Sequence, residues 1–193
     1  MPENGTSNAI LHPPEPVPGS QDRPLKNGYP QWFALAVKPR FDKAVARRLE
    51  MKGYETFLPL YKKRHRYETR SKDSEQPLFP GYVCCRFDVE TRLPILTTPG
   101  VIQVLGAGSM PIALSDTEIA SLQAAMRSQY RVKPFPYVQT GQKVRINTGV
   151  LAGIEGIVMS FKEPLRLILS ITLLQRSVLL EINRDHVSAE RID

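Results

Sequence analysis

The sequence predicts an α+β chain of two folded units behind an irregular N-terminal segment, and three observations carry that reading. Residues 1–30 hold seven of the 17 prolines. Pro13, Pro14, Pro16 and Pro18 exclude both helix and ladder pairing there, so 1–30 reads as a disordered tail. Residues 31–130 alternate strand-like and helix-like runs, which predicts one sheet with helices packed on it. Residues 138–193 read as short strands only, which predicts a small closed barrel without free edges. Between the two units, residues 131–137 carry Pro134 and Pro136 and read as a linker.

The elements follow in order. Trp32–Val37 is a short apolar run, typical of a buried strand. Lys38-Pro39-Arg40 ends it. Phe41, Val45, Ala46 and Leu49 then fall at helical spacing, with Lys43, Arg47 and Arg48 on the other side, and Gly53 closes that helix. Glu55–Leu60 reads as a second strand. Tyr61–Gln76 is a polar stretch in which Tyr61 and Tyr67 are mixed with six cations. It reads as a charged hairpin loop, with stacking on unpaired bases as the alternative. Gly81–Phe87 is the next strand, Glu90–Leu96 a short helix and Val101–Leu105 a further strand. Ser115 and Glu118 have the spacing of a capping box, with Ile119, Leu122 and Met126 as the buried stripe of the helix that follows.

The second unit offers five strands: Lys143–Ile146, Gly156–Phe161, Leu165–Leu173, Ser177–Ile182 and His186–Ile192. Residues 165–182 alternate apolar and other side chains, as a strand does. Leu174, Val178 and Ile182 could also form a helical stripe, but Pro164 would interrupt a helix spanning the hairpin. Gly149, Gly153 and Gly156 suit its first hairpin and penalise a helix. The expectation is therefore β structure throughout.

Composition narrows function. The chain has 193 residues, 41% of them hydrophobic, and a formal net charge of +7. That excess of Lys and Arg favours a polyanionic partner. No run of 18 apolar residues predicts a membrane helix, and no basic segment followed by an apolar core predicts a secretory signal. Cys84 and Cys85 are adjacent, so in a strand they face opposite ways and read as reduced thiols of a cytoplasmic protein. His12, His65 and His186 are scattered, and no metal-ligand spacing, nucleophile elbow or phosphate loop occurs. No enzyme chemistry, metal or cofactor is expected.

Four segments in this order carry more weight than composition. They are Trp32-Phe33-Ala34 with Lys38-Pro39-Arg40, Leu78-Phe79-Pro80-Gly81-Tyr82-Val83, Thr98-Pro99-Gly100-Val101, and Gly141-Gln142-Lys143-Val144-Arg145-Ile146 followed by Gly153-Ile154-Glu155-Gly156-Ile157-Val158. Together they resemble the NusG family of transcription elongation factors over residues 31–193. The resemblance implies an N-terminal NGN domain at 31–130, an RRM-like mixed sheet with helices. It also implies a C-terminal five-stranded, SH3-like KOW β-barrel at 138–193.

What the resemblance implies about partners is specific. The first domain of the family docks on the clamp helices of the largest RNA polymerase subunit and reaches a gate loop across the cleft, which discourages pausing. That assigns polymerase contact to Ala36, Phe79, Pro80, Tyr82 and Cys84. Phe79 and Tyr82 would be the aromatic anchors, with core packing of both rings as the alternative, and Cys84 stands where relatives often carry a larger aromatic. The gate-loop side falls to Arg92, Thr97 and Thr98. Lys38, Arg40, Lys43 and Arg47 would face non-template DNA, giving salt-dependent contact to phosphates; a solvated helix face is the alternative. Thr172, Leu173, Leu174 and Arg176 form a loop that would bind a ribosomal protein or termination factor through KOW, or else belong to the core.

The implied protein is a monomeric cytoplasmic factor that acts sterically on polymerase. A specialised, operon-selective paralogue is favoured by the basic balance, the Pro-rich tail and the Leu173-Leu174-Gln175-Arg176 loop. A housekeeping NusG and a ribosome-associated KOW RNA-binding protein stay open.

Overall fold

The computed structural model describes residues 28–66, 71–137, 142–160, 165–182 and 189–191. The tail expected over 1–30 lies outside them as far as residue 27. The first sheet has the order β2-β5-β1-β6, from β1 (Gln31–Val37), β2 (Glu55–Phe57), β5 (Tyr82–Phe87) and β6 (Val101–Val104). All three pairings are antiparallel, so the sheet is not mixed in direction. Crossovers through α1 (Asp42–Met51) and α2 (Leu93–Leu96) place neighbours out of chain order.

Strand alternation divides this sheet into two cores. Phe33, Leu35 and Val37 of β1 and Val83, Cys85 and Phe87 of β5 share one buried cluster with Val45, Ala46 and Leu49 of α1. Phe33 and Phe87 stack there with ring centroids 4.7 Å apart. Trp32, Ala34, Tyr82 and Cys84 point the other way, into a cluster with Ile119, Leu122 and Ala125 of α3 (Asp116–Arg127). Period 2 in the strands and period 3.6 in the helices thus account for both layers.

The expected strand Glu55–Leu60 is two strands. Pro59 separates β2 from β3 (Leu60–Arg66), because it has no N–H for a ladder; its carbonyl instead accepts the Leu78 N–H at 2.9 Å. The polar stretch read as a loop is a β-ribbon, β3 paired with β4 (Ser71–Pro77) in continuous register from Leu60↔Pro77 to Arg66↔Ser71. A small hairpin, β7 (Gly106–Ala107) with β8 (Met110–Pro111), was not legible in the sequence.

The expected capping box differs as well. The Ser115 hydroxyl makes no cap bond to α3; it pairs with the Thr117 hydroxyl at 2.6 Å.

The second sheet runs β14-β10-β11-β12-β13-β9. It contains β10 (Gln142–Ile146), β11 (Glu155–Ser160), β12 (Leu165–Ile171), β13 (Arg176–Ile182) and β14 (Ala189–Arg191). Its sixth strand, β9 (Arg131–Phe135), corrects two expectations, the linker and the five-stranded count. It pairs with β13 from Glu181↔Arg131 to Ser177↔Phe135. Pro134 fits because β9 is an edge strand with one neighbour, so a missing donor can face away from the ladder. Residues 165–182 are strands joined by a 3₁₀ turn over Thr172–Leu174, not helices.

Leu167, Leu169 and Ile171 of β12 and Val178, Leu180 and Ile182 of β13 are all buried in the cluster that holds the α3 face of the first sheet. One apolar core therefore runs from the first sheet through α3 into the second.

Candidate functional site

Three turns meet at one end of the first sheet. Val37 N–H donates to Gly81 O at 2.9 Å, and Lys38 N–H donates to Gly100 O at 2.8 Å. The loop after β1 is thereby fastened to both the Pro80-Gly81 turn and the Pro99-Gly100 turn. Tyr82 N–H closes on Phe79 O at 3.2 Å, with Gly81 at φ +87°. Proline at the second position and a positive-φ glycine at the third are the signature of a type II turn. From the other side, the buried carboxylate of Asp42 accepts the Gly81 N–H at 2.6 Å. Sequence reading passed over Asp42; the available signal was an acidic residue in a helical first turn directly after a basic turn.

The expected polymerase residues divide by exposure. Pro80 is exposed and Ala36 half-buried. Phe79 is 2% exposed, Tyr82 7% and Cys84 2%. The expectation that Phe79 and Tyr82 form a partner surface is corrected for this arrangement: they are core. The cause is the shared apolar cluster, which takes in α3 and the second sheet and encloses the Tyr82 and Cys84 side of the strand.

Lys38, Arg40, Lys43 and Arg47 are all exposed around the loop and first turns of α1. Arg40 adopts φ +66°, a left-handed conformation uncommon for a residue with a Cβ, so this turn is held in a shape that its sequence alone disfavours. Lys43 lies 3.6 Å from Glu75 on β4. Within the charged ribbon, Tyr61 is half-buried and Lys62 and Lys63 are exposed; the side chains of residues 64–72, Tyr67 included, lie outside the described residues.

On the gate side, Thr97 is exposed, with its hydroxyl donating to Leu93 O. Arg92 donates to Val89 O at 3.0 Å. Thr98 does not reach the surface. It is 1% exposed, donates to Pro94 O at 2.9 Å and accepts from Lys52 Nζ at 2.7 Å. It is a structural residue of the α2 turn.

Of the two readings of the loop 172–176, the core one holds for its leucines. Leu174 is buried and Leu173 packs against the same core. Thr172 is tied to α3: its N–H and its hydroxyl both bond Glu118 Oε1, at 3.3 and 2.7 Å. Only Arg176 stays exposed in that set. Leu174 is buried as the last residue of the 3₁₀ turn, and Leu173 is half-buried. Glu118, read from sequence as a local cap, is a long-range tie.

The chemistry of the interior is inert. Burial pushes both the Cys84 and Cys85 thiols up to about 12, with Cys85 adding to the shift of Cys84 and Glu55 to that of Cys85. Such thiols stay protonated and unreactive at neutral pH. Among the described residues no group of three or more His, Cys, Asp or Glu side chains could hold a metal. No helix there is long and apolar enough to cross a membrane, which says nothing of membrane β-barrels.

The family model described as "NusG: Transcription termination factor nusG" matches residues 30–123. That span covers the first sheet, α1, α2 and most of α3. Residues 30–123 are thus similar to the NusG family. It is 28% identical over 123 residues to the transcription termination/antitermination protein NusG of Helicobacter pylori (strain ATCC 700392 / 26695), covering 62% of this chain and 70% of that protein. It is 26% identical over 140 residues to the NusG of Chlamydia pneumoniae, covering 66% and 76%. A solved structure concerning domain interaction in Thermotoga maritima NusG aligns with 85% of this chain and 98% of its own, at 18% identity and a TM-score of 0.49. NusG-family proteins are transcription termination and antitermination factors, not enzymes.

Proposed function

We propose that this chain is a transcription elongation and antitermination factor. Its first domain, residues 31–130, binds RNA polymerase across the cleft, and its second, residues 138–193, recruits a further factor or the ribosome. The observation that carries the reading is the junction of three turns at one end of the first sheet, inside the segment that matches the family. Pro80 stands exposed there, in the turn whose Tyr82 pairs with Ala36 and whose Gly81 carbonyl accepts the Val37 N–H, one residue before the cationic turn of Lys38 and Arg40. An apolar spot rimmed by cations suits a coiled-coil partner with an apolar seam and acidic flanks.

The buried aromatics fit a two-step docking. Pro80 and Ala36 make the first contact. Phe79, Tyr82 and Cys84 become available only when α3 and the second sheet shift away from the first sheet, with which they share one apolar cluster. Lys38, Arg40, Lys43 and Arg47 then lie along the exposed DNA strand, and Arg92 and Thr97 face the gate loop.

The basic charge and the Pro-rich tail favour a specialised paralogue. Housekeeping NusG is the second reading, favoured by the curated relatives, which carry that name. Transcription by purified RNA polymerase over a template with a pause and a terminator separates them. Shorter pauses with read-through at the terminator support the first reading. Increased termination supports the second. A factor that leaves both unchanged at saturating concentration fits neither.

A further inference from the structure

A second cationic feature lies on the ribbon that adjoins the three turns. The ribbon strand β3 and the segment joining α3 to β9 face each other across a cleft of about 860 Å³. Tyr61, Lys62 and Lys63 form one wall, and Tyr130, Arg131 and Lys133 the other. The size falls in the range of ligand sites, roughly 300–1,000 Å³.

The charge of the cleft is one-sided. Lys133 is paired with Glu181 at 2.8 Å. Glu75, the cross-strand partner of Lys62, lies 3.6 Å from Lys43. Among the described residues Lys62 and Lys63 hold no ion pair, while the charge of Arg131 acts on Glu181. Both tyrosines are half-buried and packed against the apolar cluster. Their rings are thus held by packing and lose little freedom on binding a ligand, while their polar edges stay near solvent. Fixed aromatic rings interleaved with free cations are what an unpaired, phosphate-linked strand uses: rings stack on bases, cations meet phosphates.

We propose that this cleft binds single-stranded nucleic acid. An acidic peptide would satisfy the cations but leave the two tyrosines unused, and a duplex hides its base faces. The site is built from both halves of the chain, because β9 is held in place by β13. A bound strand would therefore favour the arrangement in which β9 is docked.

The test uses the full chain without polymerase, so it succeeds or fails independently of docking. The probes are a labelled single-stranded DNA of about 12 nucleotides, the RNA of the same sequence and the corresponding DNA duplex, within the site sizes of stacking platforms. Anisotropy titrations should show both single strands bound more tightly than the duplex. The tighter of the two arms distinguishes a displaced DNA strand from a transcript. Lys62→Gln with Lys63→Gln should weaken binding about tenfold and reduce the logarithmic salt slope by about 1.4, two phosphate contacts' worth for a single strand. Lys143→Gln with Arg86→Gln, the same charge removed elsewhere, should change affinity less than twofold. Tyr130→Leu should lose about tenfold while Tyr130→Phe retains binding, because the phenyl ring still stacks.

Three results would each overturn the proposal. One is an equal loss in the control pair. Another is equal affinity of the Leu and Phe variants with the fold intact by circular dichroism. The third is competition by polyglutamate as effective as that by the oligonucleotide. Should Tyr130→Leu unfold the chain, the lysine pair against its control decides.

Discussion

The Asp42 carboxylate and the Gly81 N–H are joined by a hydrogen bond of 2.6 Å across a sequence separation of 39 residues. It fixes the first turn of α1 to the Pro80-Gly81 turn, and so fixes the cationic rim relative to the one exposed residue of the aromatic motif. Asp42→Ala leaves a part-buried donor without its partner, at a cost of about 1 kcal/mol. Urea unfolding of the variant should show that loss. Unchanged stability would mean that the turn holds itself.

Phe79 and Tyr82 are core residues in this arrangement, and truncating them should cost stability. Phe79→Ala should destabilise by about 3–5 kcal/mol, the range for a buried aromatic. A variant that melts like the parent would show instead that the ring sits at a free surface.

Salt separates a phosphate-facing rim from a merely solvated one. Lys38→Glu with Arg40→Glu should weaken recruitment to a paused transcription complex about tenfold at low salt and by less at high salt, where screening already weakens the parent. Equal losses at both salts would point to misfolding.

Acid should loosen β9. The hydrogen bond from Lys133 is the main cause that holds the Glu181 carboxyl below its ordinary 4.5, aided by the charges of Lys133, Arg131 and Arg166. A depressed carboxyl contributes stability that is complete above the ordinary value and is lost as pH falls through the folded one. Amide exchange in β9 should therefore accelerate as pH drops below the ordinary carboxyl range, after correction for intrinsic rates, and Lys133→Gln should reduce that extra dependence. Identical pH profiles in parent and variant would contradict the role given to this pair.

How much was legible in the sequence depended on whether a signal was local. The two strand faces of Trp32–Val37 and Tyr82–Phe87 follow from period 2, and so did the opposite orientation of Cys84 and Cys85. The exposure of Lys38, Arg40, Lys43 and Arg47 follows from helical spacing beside a turn. The errors came where tertiary partners override local pattern. Pro134 and Pro136 suggested a linker, yet one edge of β13 was free to take Arg131–Phe135. The aromatic turn suggested a surface, yet the apolar core that joins the two sheets takes in Phe79 and Tyr82. Glu118 had the spacing of a cap, and only the fold brings Thr172 within 2.7 Å of it.

The most direct test of the central claim measures binding of purified core RNA polymerase by the full chain and by Pro80→Arg. Pro80 is exposed and outside the core, so the substitution places a charge at the proposed first contact and leaves the fold in place, as circular dichroism will verify. The account expects the parent to bind and the variant to lose at least about tenfold in affinity, a loss of about 1.4 kcal/mol. Equal binding by a folded Pro80→Arg chain would contradict docking through this end of the sheet.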